Sequence, residues 1–60
     1  MKSLVMNHEI RECLERAAFC TQLAEAESDP EMTSYLLRLA ADWTRAAEHI
    51  VELAHAAEAA

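Results

Sequence analysis

Apolar residues recur along this chain at intervals of three and four, and the recurrence is interrupted once. Before the interruption Met6, Ile10, Cys13, Leu14, Ala17, Cys20, Thr21 and Ala24 fall on one side of a helix turning at ~100° per residue. After it the spacing resumes through Met32, Leu36, Leu39, Trp43, Ala46, Ile50, Leu53 and Ala57. The break is Ser28-Asp29-Pro30-Glu31, which holds the only proline of a sequence without glycine. Pro30 disfavours helical geometry at Asp29 but suits a first helical position, and the Asp29 carboxylate can accept from the amides that follow. The pattern predicts an all-α helical hairpin, a single domain over residues 1–60. Helix 1 is expected over about 4–27, the turn at 28–29 and helix 2 over about 30–57.

Each helix also carries large apolar residues away from its main stripe. Val5, Phe19 and Leu23 lie on a second face of helix 1, and Leu37 on a second face of helix 2, with Val51 and His55. Phe19, Leu23 and Leu37 all fall near the turn. Either a rotation of the helices draws them into the core, or they form a separate patch for a further protein partner. Ala17, Ala18, Ala24, Ala40, Ala46, Ala47 and Ala54 lie on or beside the stripes, where small side chains let helix axes approach closely at a crossing of about 20°.

Length changes the picture most. A chain of 60 residues buries only about 60% of the surface its unfolded form exposes. Two helices cannot enclose a core, so the hairpin is expected to dimerise into a four-helix bundle, or to form a higher homo-oligomer. Ile10, Leu14, Leu36, Leu39, Trp43, Ile50 and Leu53 are its expected interface. With 53% hydrophobic residues the chain is too apolar for disorder, and its charges interrupt any membrane span. Eleven acidic against five basic residues give a net charge of −6, which repels phosphate backbones and anionic lipid, so neither nucleic acid nor membrane is an expected partner.

Local charges fit helices. Arg11 with Glu15, Glu12 with Arg16, and Arg38 with Asp42 are opposite charges four apart, each contributing only ~0.2–0.5 kcal/mol. Glu25, Glu27, Asp29 and Glu31 crowd the turn and read as a solvated acidic cap, since their spacing matches no calcium loop. At the N-terminus Leu4-Val5-Met6 gives way at once to Asn7, His8 and Glu9, so no signal peptide is read and a cytoplasmic location is expected.

Cys20-x-x-Leu23-Ala24, Asp29-Pro30-Glu31, Leu36-Leu37-x-Leu39-Ala40, Trp43 and Ala46-Ala47 together resemble a group of short uncharacterised two-helix proteins of alphaproteobacteria, over about residues 13–50. That resemblance implies the hairpin and no assigned activity. A fainter one is to the cysteine-rich four-helix copper-storage proteins, through Cys13-Leu14-Glu15-Arg16-Ala17 with Cys20, and Asp29-Pro30-Glu31-Met32 with Arg38-Leu39 and Asp42. It implies bundle architecture and copper binding. Where that pattern favours cysteine this chain has Ala17, Ala24, Leu36, Ala40, Trp43 and Ala47.

Candidate chemistry is sparse. Glu52-x-x-His55 has the spacing used by carboxylate-bridged di-metal bundles, but it falls opposite the apolar stripe and reads as a surface pair. His8 and His49 read as surface or interface histidines. Cys13 and Cys20, seven residues and roughly 10 Å apart on one helix, cannot bridge each other. With Met6 they share a face at seven-residue steps, a soft set that two chains could present to Cu(I), or simply filler of the bundle seam. No nucleophile, base and orienting group can be placed together, and no phosphate loop is possible without glycine. The expected function is therefore a non-enzymatic, self-associating helical interaction module with no catalytic residue, cofactor or metal. The alternative is a soft-metal (copper) binder acting through Cys13, Cys20 and Met6.

Overall fold

The computed structural model describes the backbone of residues 2–59 and the side chains of residues 7–58. It is a helical hairpin, α1 over Lys2–Ala26 and α2 over Pro30–Ala59, packed against each other. No strand occurs among the described residues. The molecule is a rod of 47 × 16 × 9 Å with a radius of gyration of 14.1 Å, against about 10 Å for a compact chain of this length.

Local chemistry explains the bend. Asp29 caps α2: its carbonyl accepts from the Thr33 amide at 2.9 Å and its Oδ1 from the Glu31 amide at 3.2 Å. Pro30 then takes the first helical position, where a missing amide proton costs nothing. The end of α1 is tied off without a left-handed residue, as no non-glycine residue among those described has a positive φ. The Glu27 amide instead tightens onto Ala24 O at 3.3 Å, and the Thr33 hydroxyl donates to Asp29 O and reaches back to Glu27 O. One acidic residue differs from the sequence-based expectation. Glu27 is more than a solvated charge, because its Oε2 accepts from the amides of Ser28 and Asp29 at 3.2 and 3.3 Å and so holds the three-residue link.

The buried residues between the helices are all small: Cys13, Ala17, Cys20 and Ala24 on α1, Ala40 and Ala47 on α2. Thr33 beside Glu27, and Arg16 over Trp43, fix the antiparallel register. In that register Cys13 lies across from Ala47, Ala17 from Trp43, Cys20 from Ala40, Ala24 from Leu36 and Ile10 from Ile50. Four of these five layers contain at least one small residue, which lets the axes close up, and only Ile10 against Ile50, at the open end, pairs two large ones. Among the described side chains the α1 side of this seam is the expected stripe, Ile10, Cys13, Ala17, Cys20, Thr21 and Ala24, except that Leu14 is exposed. On α2 the buried and half-buried residues are Thr33, Leu36, Leu39, Ala40, Trp43, Ala46, Ala47, Ile50 and Ala54, a face centred on Ala40 and Ala47 and rotated by roughly 40° from the expected stripe. Hydrophobicity placed the stripe through the largest side chains, whereas close approach selects the small ones.

Of the helix-surface ion pairs expected, Arg16–Glu12 forms at 3.8 Å, while Asp42 pairs with Arg45 at 3.4 Å instead of Arg38. Both are exposed and contribute little. The link makes a sharper prediction. Asp29→Ala should lower stability by about 0.5–2 kcal/mol through loss of the cap, and Glu27→Ala by a smaller but measurable amount, under about 1 kcal/mol. Urea midpoints at unchanged slope would check both. An unchanged midpoint for Asp29→Ala would remove the cap from its assigned role.

Candidate functional site

The seam leaves α2 with more apolar surface than α1 covers. Leu36, Trp43 and Ile50 belong to two overlapping stripes at once, one completed by Ala40, Ala47 and Ala54 and facing α1. The other, completed by Met32, Leu39, Ala46 and Leu53, lies beside the seam, with Leu39 and Ala46 half-buried and Met32 and Leu53 exposed, at 44% and 50%. In an antiparallel pair the residues just before the alanine positions of each helix share one side. Arg16 and Leu23 of α1 therefore join Met32, Leu39 and Leu53 of α2. Arg16 marks that side directly, its guanidinium lying 5.2 Å from the centre of the Trp43 ring, a cation–π contact worth ~0.5–1 kcal/mol at such exposure. Phe19, 59% exposed, and Tyr35 widen the same flank near the turn.

The opposite flank is thinner. Leu14, Leu37 and Val51 are exposed there, separated by Thr21 and Thr44, whose hydroxyls bond back to Ala17 O and Ala40 O at 3.0 Å. Of the expected partner patch, the rotation puts Phe19 and Leu23 on the first flank and Leu37 on the second, so the structure does not bring the three together. Of the expected interface, Ile10, Leu36, Trp43 and Ile50 sit half-buried in the seam of the single hairpin. Leu39 and Leu53 lie on the first flank and Leu14 on the second. The signal that could have found this arrangement is the double stripe of α2, two unbroken three-and-four repeats sharing every second member.

The soft-ligand candidates occupy the seam. Cys13 and Cys20 are free thiols, 9% and 8% exposed, facing α2 from two layers separated by the Ala17–Trp43 layer. At roughly 10 Å along the axis they cannot share one ion within a hairpin. The Met6 side chain lies outside the described residues. Among the described residues no three His, Cys, Asp or Glu are grouped to hold a metal ion. Glu52 meets His49 at 3.9 Å, both exposed, and His8 meets Glu12 at 3.6 Å. His55 is exposed. A shallow depression of about 370 Å³ lies at the start of α2 between Pro30, Glu31, Ser34, Tyr35 and Arg38, open to solvent. No helix among the described residues is long and apolar enough to cross a membrane.

No protein-family model, no curated protein and no solved structure matches the chain.

The thiols generate a test of their surroundings. Replacing Cys13 and Cys20 together by Ala should preserve helicity and cost roughly 1–3 kcal/mol in packing. Cu(I) should leave the melting temperature of the native chain unchanged. A metal-dependent rise, absent from the double variant, would establish a soft-metal site.

Proposed function

We infer that this chain is a non-enzymatic, self-associating helical module whose working form is a homodimeric four-helix bundle. The observation that carries the reading is the second stripe of α2, an apolar surface along the helix that α1 covers only in part, leaving Met32 and Leu53 exposed and Leu39 half-buried. The rest of the hairpin supports it. None of the described side chains is completely buried, and eight large apolar residues are exposed. A core made of four alanines and two cysteines removes little apolar area from water at about 25 cal/mol per Å². Association of two hairpins is the direct way to add to it. The net charge of −6 argues for a protein partner over nucleic acid or anionic lipid. Two unpaired thiols suit a reducing compartment such as the cytoplasm. The reading requires no cofactor.

Sedimentation equilibrium with light scattering at micromolar concentration tests it. A dimer is expected for the native chain, and Leu39→Asp should abolish both the dimer and most of the helicity, because it places a charge on a half-buried position in the middle of the second stripe. A monodisperse, fully helical native monomer would overturn the reading.

A further inference from the structure

The hairpin exposes 4764 Å². A compact monomer of 6.7 kDa is expected to expose roughly 3,900 Å². The excess of roughly 850 Å² is close to the ~800 Å² that one partner contributes to an interface of standard size. A second copy is thus an occupant of the right scale for the Met32–Leu53 flank, and two features decide how it docks.

The first is the sequence of the flank itself. Along α2 it reads Met32, Leu39, Ala46, Leu53, at even steps of seven. Laid antiparallel on its own copy, it sets Met32 against the partner's Leu53 and Leu39 against the partner's Ala46. Large meets small at the middle and large meets large only at the ends, so the helices can close along their length. Stacked with the turns at one end, α2 would instead lie over α1 of the other copy. Ala46 and Leu53 would then face the level of Glu9, Glu12 and Arg16, and the match of large to small residues between the two α2 helices would be lost.

The second feature is charge. Between Arg16 and Arg38 the chain has no basic residue, while Glu25, Glu27, Asp29 and Glu31 cluster at the turn. Turns at one end would bring eight carboxylates together. Turns at opposite ends separate the clusters by nearly the 47 Å length of the hairpin, far beyond the ~8–10 Å screening length at physiological salt. Each acidic turn then lies beside the other copy's open end, where Glu9, Glu52 and Glu58 are accompanied by the basic residue Arg11, whereas the turn has none.

We propose that two copies stack through the Met32–Leu39–Leu53 flank with turns at opposite ends, α2 lying antiparallel on the partner's α2. This rests on the self-association inferred above and adds its face and orientation.

The test labels one exposed position. A nitroxide on Ser28→Cys reports the distance between the two turns, the native thiols being buried. In parallel, dimer dissociation constants are measured, with helicity followed at each concentration, for Met32→Glu, Leu53→Glu and Leu37→Glu, all at residues already half-exposed in the single hairpin and outside its seam. Expected are a turn-to-turn distance close to the 47 Å rod length and a dissociation constant raised roughly tenfold or more by Met32→Glu or Leu53→Glu. Leu37→Glu should change it by less than about threefold. Labels within about 20 Å, two helix spacings, would overturn the orientation. Weakening by Leu37→Glu but not by Leu53→Glu would overturn the face. Either result leaves self-association standing, whereas a native chain that stays monomeric overturns both.

Discussion

Everything in this hairpin depends on how closely α1 and α2 can approach, and that is set by the size of the side chains between them. Between Cys13–Ala47 and Cys20–Ala40, where Ala17 stands against Trp43, there is no room for a second large residue in a layer, and only at the open end does Ile10 stand against Ile50. Close approach maximises dispersion contacts per layer, but small side chains carry little area. The seam therefore specifies register well and stabilises weakly. Thr33 and Glu27 reinforce the register from the turn, where the Thr33 hydroxyl spans both sides of the link. A slip of one residue would present Leu39 or Ala41 where Ala40 now meets Cys20, and every layer along the rod would change.

How far the sequence discloses this structure follows from the same fact. The bend was legible because Asp29-Pro30 is a local signal: a cap and a first-turn proline act through neighbouring atoms, and α2 starts at Pro30 as read. The alanines were legible as close-approach positions, and Ala17, Ala24, Ala40 and Ala47 are buried. The rotation of α2 was not, because hydrophobicity weights a residue by its apolar area whereas an alanine seam is selected by the area that is missing. Leu36, Trp43 and Ile50 fit both stripes, so nothing local decides between Ala40 and Leu39 as their companion. Only the partner helix does. Leu37 was grouped with Phe19 and Leu23 because each stands near the turn, yet nearness along the axis says nothing about side. The role of Glu27 escaped for another reason, since a carboxylate that grips loop amides looks in sequence like any other in an acidic run.

The candidate surface inherits its shape from this division of labour. Because α2 gives its small residues to α1, its large ones are left beside the seam. Trp43 sits at the join, and Arg16 lies over its ring with the guanidinium also within 3.8 Å of Glu12. An arginine there can cover an indole face while its charged head stays in water. The flank is thereby shielded at its middle and open toward its ends, at Phe19, Leu23 and Met32 on one side of Arg16 and at Leu53 on the other.

Self-association, as proposed, would couple the folding of this hairpin to its assembly. A seam of small side chains removes little apolar area from water, against a cost of about 1–2 kcal/mol for each residue ordered in the two helices of 25 and 30 residues. The surface that can make up the difference lies outside the seam, on the flank of α2. If that flank is closed by a second copy, the folded state becomes more populated as concentration rises, and stability is no longer a property of one chain. The two stripes of α2 are then steps of one process: Ala40 and Ala47 set how α2 is rotated against α1, and that rotation decides to which side of the rod Met32, Leu39 and Leu53, already aligned by their seven-residue spacing, are turned. A substitution in the seam would act on assembly at a distance, by rotating the flank away from the copy it would meet.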